Sequence, residues 1–176
     1  SIVESRGCLV HSFPQLQSLG RGLSLSAVTL LNLSDCNLTG EGLRELLLSV
    51  DWDSCAIEIL NLSGNCQLGA PALRPDENDA HFIALGETLE ASKLTELSLR
   101  NCGLGCSSVE TFIASFNPAG LPLAKLDMRE NPIRMPELII CLTDGSTDRR
   151  ARADPTIAQK LLTGLAASFK IECLFD

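Results

Sequence analysis

Aromatic residues are scarce in this sequence. Phe, Trp and Tyr make up 4%, with one Trp and no Tyr, so aliphatic side chains, leucine above all, must form the core. Positive charge is also in deficit: 14 Lys and Arg stand against 22 Asp and Glu, a net charge of −8. Such a chain lacks the clustered cations that neutralise a phosphate backbone, which argues against direct binding to nucleic acid. No apolar run approaches the roughly 18–20 residues that cross a bilayer, and Ser1-Ile2-Val3 does not open a signal peptide. No contact with membrane is expected.

The signatures of chemistry are missing as well. There is no G-x-S-x-G, no H-E-x-x-H, no phosphate-binding loop and no dinucleotide fingerprint. Gly103-Leu104-Gly105 reads as a turn. His11 and His81 lie far apart in sequence, without an acid–base companion, and read as ordinary surface or packing residues. Eight cysteines are present but no C-x-x-C pair, and only two His. Structural zinc wants tighter ligand pairs, so no metal site is expected. No catalytic residue, cofactor or enzymatic activity is expected either.

What the chain does have is length for one domain, 176 residues, and 45% hydrophobic residues, enough to bury a core. It also has an internal repeat. Four segments fit the template L-x-x-L-x-L-x-x-(N/C)-x-L. They are Val28, Leu31, Leu33, Cys36, Leu38; then Ile57, Leu60, Leu62, Asn65, Leu68; then Leu94, Leu97, Leu99, Cys102, Leu104; and Leu123, Leu126, Met128, Asn131, Ile133. The second carries one extra residue before Leu68, which predicts a small bulge. The segments start 29, 37 and 29 residues apart. In such a template the fourth and sixth residues point inward from a short strand. The ninth turns the chain, and an Asn there can bond backbone groups of neighbouring turns, with Cys as a small apolar substitute.

Helical spacing follows each strand. Gly40 to Val50 presents Leu43, Leu46, Leu47 and Val50. Asp79 to Ala91 presents Phe82, Ile83, Leu85 and Leu89, with Asp79 as N-cap. Ser107 to Phe116 presents Val109, Phe112, Ile113 and Phe116, capped by Ser107 or Ser108. A last helix from Asp154 to Phe169 has Pro155 at its first position.

These residues resemble the leucine-rich repeat family, in its ribonuclease-inhibitor-like subtype with long repeats of 28–29 residues. The alternation of Cys36, Asn65, Cys102 and Asn131 follows the paired repeats of that subtype, and the resemblance is firm over residues 22–135. It implies an α/β leucine-rich repeat solenoid, a horseshoe with parallel strands on the concave face and helices on the convex face. The expected organisation is a single domain over 1–176. Residues 1–27 form an N-terminal cap or divergent repeat, with Ile2 and Leu9 at the fourth and eleventh template positions and a helix through Phe13, Leu16 and Leu19. Residues 28–142 hold four repeats with a loop insertion at 69–78. Residues 143–176 hold an insertion loop, with Arg149, Arg150 and Arg152, then a capping helix and strand.

In this architecture the variable strand positions share one face, on strands about 4.8 Å apart. Three stripes result: Leu30, Ile59, Glu96, Lys125; Asn32, Asn61, Ser98, Asp127; and Ser34, Ser63, Arg100, Arg129. Asp35 and Glu58 are further variable positions. A solvated face is the plain reading. Adjacent apolar Leu30 and Ile59 favour a partner surface, and Arg100 beside Arg129 would attract an acidic group between them. The partner-binding residues expected are Leu30, Asn32, Ser34, Ile59, Asn61, Glu96, Ser98, Arg100, Lys125, Asp127 and Arg129. Trp52 reads as a cap over Leu46 and Leu47, or else as an exposed anchor.

The sequons at Asn32, Asn37 and Asn61 would place glycans on the strand face in a secreted protein. With the cysteines read as reduced thiols, an intracellular location, cytoplasmic or nuclear, is expected. The function that follows is a protein-interaction module, a scaffold or regulatory domain of a larger protein, with a protein partner on the concave sheet. The alternatives on the same repeat are a GTPase-activating type of regulator and a direct enzyme inhibitor. Open solenoid ends would also allow self-association.

Overall fold

A computed structural model of the chain describes residues 2–4, 13–70, 80–117 and 121–132. His11, Asp79, Ile133, most of the 69–78 insertion and the expectations for 143–176 lie outside the described residues.

The described chain alternates strand and helix: β1 (Ile2–Glu4), α1 (Phe13–Ser24), β2 (Leu30–Asn32), α2 (Gly40–Ser49), β3 (Ile59–Asn61), α3 (Ala80–Ala91), β4 (Glu96–Ser98), α4 (Cys106–Ala114) and β5 (Lys125–Asp127). The strands form one open parallel sheet in the order β1-β2-β3-β4-β5. Each strand lies beside the next in sequence, which follows when one helix-bearing connection returns the chain by a single step. Backbone pairing runs beyond the three-residue strands. Leu33 and Asp35 donate to the carbonyls of Asn61 and Ser63, Leu62 and Gly64 to those of Ser98 and Arg100, and Leu99 and Asn101 to those of Asp127 and Arg129.

The core lies between sheet and helices. The central residues Leu31, Leu60, Leu97 and Leu126 are buried, as are Leu33, Leu62, Leu99 and Met128. Against them pack Leu43 and Leu46 of α2, Phe82, Leu85 and Leu89 of α3, and Val109, Phe112 and Ile113 of α4. Each such apolar side chain contributes about 1.5–3 kcal/mol on leaving water. Trp52 is buried in this core, its Nε1 donating to the Leu47 carbonyl at 2.8 Å. It is therefore a cap and not an exposed anchor.

The ninth template residue knits the turns together. Asn65 Oδ1 accepts the N–H groups of Cys36 (3.0 Å) and Leu38 (2.9 Å), and Nδ2 donates to the carbonyls of Leu33 (2.9 Å) and Leu62 (2.7 Å). Asn131 repeats this with Cys102 and Leu104, and with Leu99 and Met128. Cys102 stands between them, its thiol donating to the Leu62 carbonyl at 3.2 Å. The position just before is left-handed in every repeat: Asp35 (φ 57°), Gly64 (φ 76°), Asn101 (φ 53°) and Glu130 (φ 60°). Asp, Asn and Gly suit that conformation; Glu does not.

The helix layer shows its own alternation. A Cβ on Gly20 of α1 would meet Ser49 Oγ at 1.9 Å, and one on Gly86 of α3 would meet Ser115 Oγ at 1.8 Å. Each serine, at or just past the end of its helix, reaches into a notch on the preceding one. The N–H of Asp51 donates to Ser24 Oγ and that of Asn117 to a Glu90 carboxylate oxygen, both at 2.7 Å. Between α2 and α3 the filler is His81, whose Nε2 donates to the Leu68 carbonyl at 2.8 Å and whose ring lies 4.1 Å from that of Phe82. It is a packing residue.

Three local expectations change. β1 pairs Ile2 with Leu30 and Val3 with Leu31, so Val3, and not Ile2, occupies the inward fourth position. The step from Val3 to Leu31 is 28 residues, one shorter than the two 29-residue steps. Val3 packs on the core while Ile2 stays 65% exposed. The cap of α4 is Gly105, with no side-chain cap bond, and Ser108 is buried. For α2, Thr39 caps by accepting the Gly42 N–H at 3.1 Å. The extra residue of the second repeat is taken up in a turn, with Leu68 N–H bonded to Asn65 O at 2.9 Å and Leu68 fully buried.

Candidate partner-binding surface

The face of the sheet turned away from the helices carries two rows fixed by strand register. One runs Ile2, Leu30, Ile59, Glu96, Lys125, and the other Asn32, Asn61, Ser98, Asp127. From Leu30 and Asn32 onward these are the two stripes the template predicts. Leu30, Ile59, Asn61, Glu96 and Ser98 are half-buried, Lys125 and Arg100 exposed, and Arg129 half-buried. Asn32 (3% exposed), Ser34 (6%) and Asp127 (7%) are buried, which leaves them little surface for a partner.

The second row is occupied with local work. Asn32 Oδ1 accepts the Ser34 N–H at 3.0 Å, Asn61 Oδ1 the Ser63 N–H at 3.0 Å, and Asp127 Oδ1 the Arg129 N–H at 3.1 Å. A short polar side chain at a strand end satisfies the backbone two residues on. Ser98 is too short for this and instead shares a hydrogen bond with Ser63, Oγ to Oγ at 2.7 Å.

Arg100 and Arg129 each have a carboxylate of their own. Arg129 binds Asp127 through two bonds, Nε to Oδ1 at 2.9 Å and Nη2 to Oδ2 at 2.7 Å. Those bonds hold Asp127 below the ordinary carboxylate range, against the opposing effect of burial. Arg100 pairs with Glu130, whose carboxyl is likewise held low by the Arg100 hydrogen bond. Lys125 pairs with Glu96 at 3.2 Å. The β4–β5 half of the face is thus internally neutralised. Strand spacing alone had put the arginines together, whereas the carboxylates at 127 and 130 decide what they meet.

A depression of about 200 Å³ opens across β3–β5, lined by Ile59, Asn61, Glu96, Ser98, Lys125 and Asp127. Drug-sized ligands take roughly 300–1,000 Å³, so the surface is shaped for contact rather than for enclosure. Among the described residues, no three or more His, Cys, Asp or Glu gather as a metal ion would require. Cys55, Cys66 and Cys102 carry free thiols, with Cys66 exposed. Among the described residues no helix is long and apolar enough to cross a membrane.

One contributor escaped the sequence reading. Ile2 extends the apolar row by a strand, hidden by the one-residue register shift of β1. Asp35 and Glu58 are exposed beside that row.

The family model described as Leucine Rich repeat matches residues 27–47. The match supports a leucine-rich repeat family for this chain. It covers β2 and most of α2, one turn of the repeat that the structure shows again at β3, β4 and β5. No curated protein matches the chain.

Proposed function

We propose that this chain is a protein-interaction module, a scaffold or regulatory part of a larger intracellular protein, that binds a protein partner on the exposed sheet face and catalyses no reaction. The observation that carries the reading is the row Ile2–Leu30–Ile59, three apolar side chains in register on the face opposite the helix layer. Leucine-rich repeats generally mediate protein–protein contacts, and the match at 27–47 supports that use here. Lone exposed apolar residues are ordinary, but contiguous ones mark contact sites. The free thiols at 55, 66 and 102 and the burial of Asn32 in its sequon support a reducing location. The alternation of Cys36, Asn65, Cys102 and Asn131 supports the ribonuclease-inhibitor-like subtype, a horseshoe curvature that makes this face concave, and one domain over 1–176.

The test is affinity capture from cell lysate, comparing the natural chain with a Leu30→Glu, Ile59→Lys variant whose folding is verified by circular dichroism. Arg129 is left intact, since its removal would strand Asp127. Proteins captured by the natural chain and lost from the variant are the expected result. An identical set from both would overturn the sheet-face reading.

A further inference from the structure

The sheet face is electrostatically divided. On its β4–β5 side every charge is matched: Lys125 with Glu96, Arg129 with Asp127, Arg100 with Glu130. On its β1–β3 side lie the apolar residues, and beside them Asp35 and Glu58, both exposed. Among the described residues neither of these carboxylates has an ion-pair partner. Glu58 stands at the entry to β3. Asp35 stands past the exit of β2, beside Gly64, where a Cβ would lie 2.0 Å from its Oδ1. The two acids therefore flank the row on its two sides along the strand direction, Glu58 at the strand entry and Asp35 past the strand exit. Six residue steps at a rise of about 3.3 Å put them no more than about 20 Å apart.

We infer that the partner engages this half of the sheet with a linear segment in which aliphatic residues lie between two basic ones. In an extended segment the Lys or Arg side chains would stand about five or six residues apart, at up to about 3.5 Å per residue. The inference rests on the sheet-face reading above and adds the partner's chemistry to it. Two features support it. Uncompensated charge beside an apolar row selects a partner of opposite sign and disfavours acidic ones. The chain's net charge of −8 draws cationic segments from a distance. The matched charges of β4–β5 offer no comparable selection.

A displayed random-peptide library selected against the full chain tests this. The expected enrichment is aliphatic residues flanked by Lys or Arg, with binding that weakens as salt is raised. Asp35→Asn with Glu58→Gln removes both charges, and Asn accepts the left-handed backbone at position 35. That double variant should bind an enriched peptide about tenfold more weakly, and Leu30→Thr with Ile59→Thr should abolish binding. Peptides that need Leu30 and Ile59 but are acidic or uncharged would overturn the basic-segment inference and leave the sheet-face reading standing. So would affinity unchanged in the charge-removed variant. Peptides indifferent to Leu30 and Ile59 would sink both. No enrichment at all would overturn the linear-segment inference, and the capture comparison would then decide the face by itself.

Discussion

Asn65 accepts a hydrogen bond from the backbone N–H of Cys36, 29 residues earlier in the chain, at 3.0 Å. Its remaining bonds to Leu38, Leu33 and Leu62 make it the staple between two turns of the repeat. Replacement by Ala strands two buried N–H groups and frees two carbonyls. At about 1–3 kcal/mol for each buried group left unmade, Asn65→Ala should lose at least about 3 kcal/mol in urea unfolding. Asn131→Ala should lose less, since Asn131 is itself half-buried while Asn65 is fully buried. A loss under about 1 kcal/mol at Asn65 would mean that water replaces the staple.

Cys102 is the counterpart of Asn65 in the neighbouring repeat, and burial pushes its thiol from 9.0 up to about 12. A raised acid is neutral in the folded state, so its contribution is fully present below the unfolded value and lost as pH climbs from about 9 toward 12. Thermal stability should fall through that window, and a Cys102→Ala variant should fall less steeply. Thiolates are the reactive species. At pH 8 an aromatic disulfide reagent should therefore label exposed Cys66 well before Cys102, with labelling followed by peptide mass mapping. Equal rates would contradict the buried position of Cys102.

Much of this fold was legible because the template ties residue type to position. Leu31, Leu60, Leu97 and Leu126 are inward, and the two face stripes hold register from β2 to β5, since a period-2 strand leaves no choice once its inward residues are known. The staples at Asn65 and Asn131 follow from the same logic. The surface was less legible. Asn32 and Asp127 are buried because their side chains turn back onto the backbone, and Arg129 is consumed by Asp127. These outcomes depend on side-chain reach two residues along the same strand, which a pattern of polar letters does not encode. At β1 a step one residue short moved Ile2 to the outer face, and no internal spacing signals that shift.

Glu130 occupies the left-handed turn position that Asp35, Gly64 and Asn101 fill elsewhere. A residue with a long side chain costs about 1–2 kcal/mol there, while its ion pair with Arg100 is solvent-exposed and screened and returns little. Glu130→Asn should therefore be as stable as the natural chain or slightly more so. Glu130→Val, β-branched, should be less stable by about 1 kcal/mol or more. Chemical denaturation of the two variants separates backbone preference from the ion pair. An Asn variant clearly weaker than the natural chain would assign the position to the pair.

The Asp127–Arg129 pair should show in acid. A carboxylate held below its ordinary 3.8 stabilises the folded state above that value, and the contribution disappears as pH falls through its folded pKa. The natural chain should exceed Asp127→Asn in stability at pH 6, and the gap should close as pH falls below 3.8 through the lowered folded-state value. Arg129→Ala, which leaves Asp127 without its two side-chain bonds, should shift the acid transition upward. A constant gap between natural chain and Asn variant across pH 2–7 would show that the charge of Asp127 contributes nothing.

Two glycines of α1 should respond oppositely to the same substitution. A Cβ on Gly22 meets nothing within 4 Å, whereas on Gly20 it meets Ser49 Oγ at 1.9 Å and the Ser49 carbonyl carbon at 3.0 Å. Alanine improves helix propensity at both sites by up to about 1 kcal/mol, so Gly22→Ala should raise stability by about 0.5–1 kcal/mol. At Gly20 the serine hydroxyl must leave its bond to the Leu46 carbonyl, 2.7 Å, and α2 must move off α1. Overpacking of this kind costs about 1–3 kcal/mol, so Gly20→Ala should be destabilising. Gly86→Ala, facing Ser115 in the same way, should behave like Gly20→Ala. Thermal melts of the three variants check this. If Gly20→Ala and Gly22→Ala were equally stable, the helices would not be seated in the Gly–Ser notch.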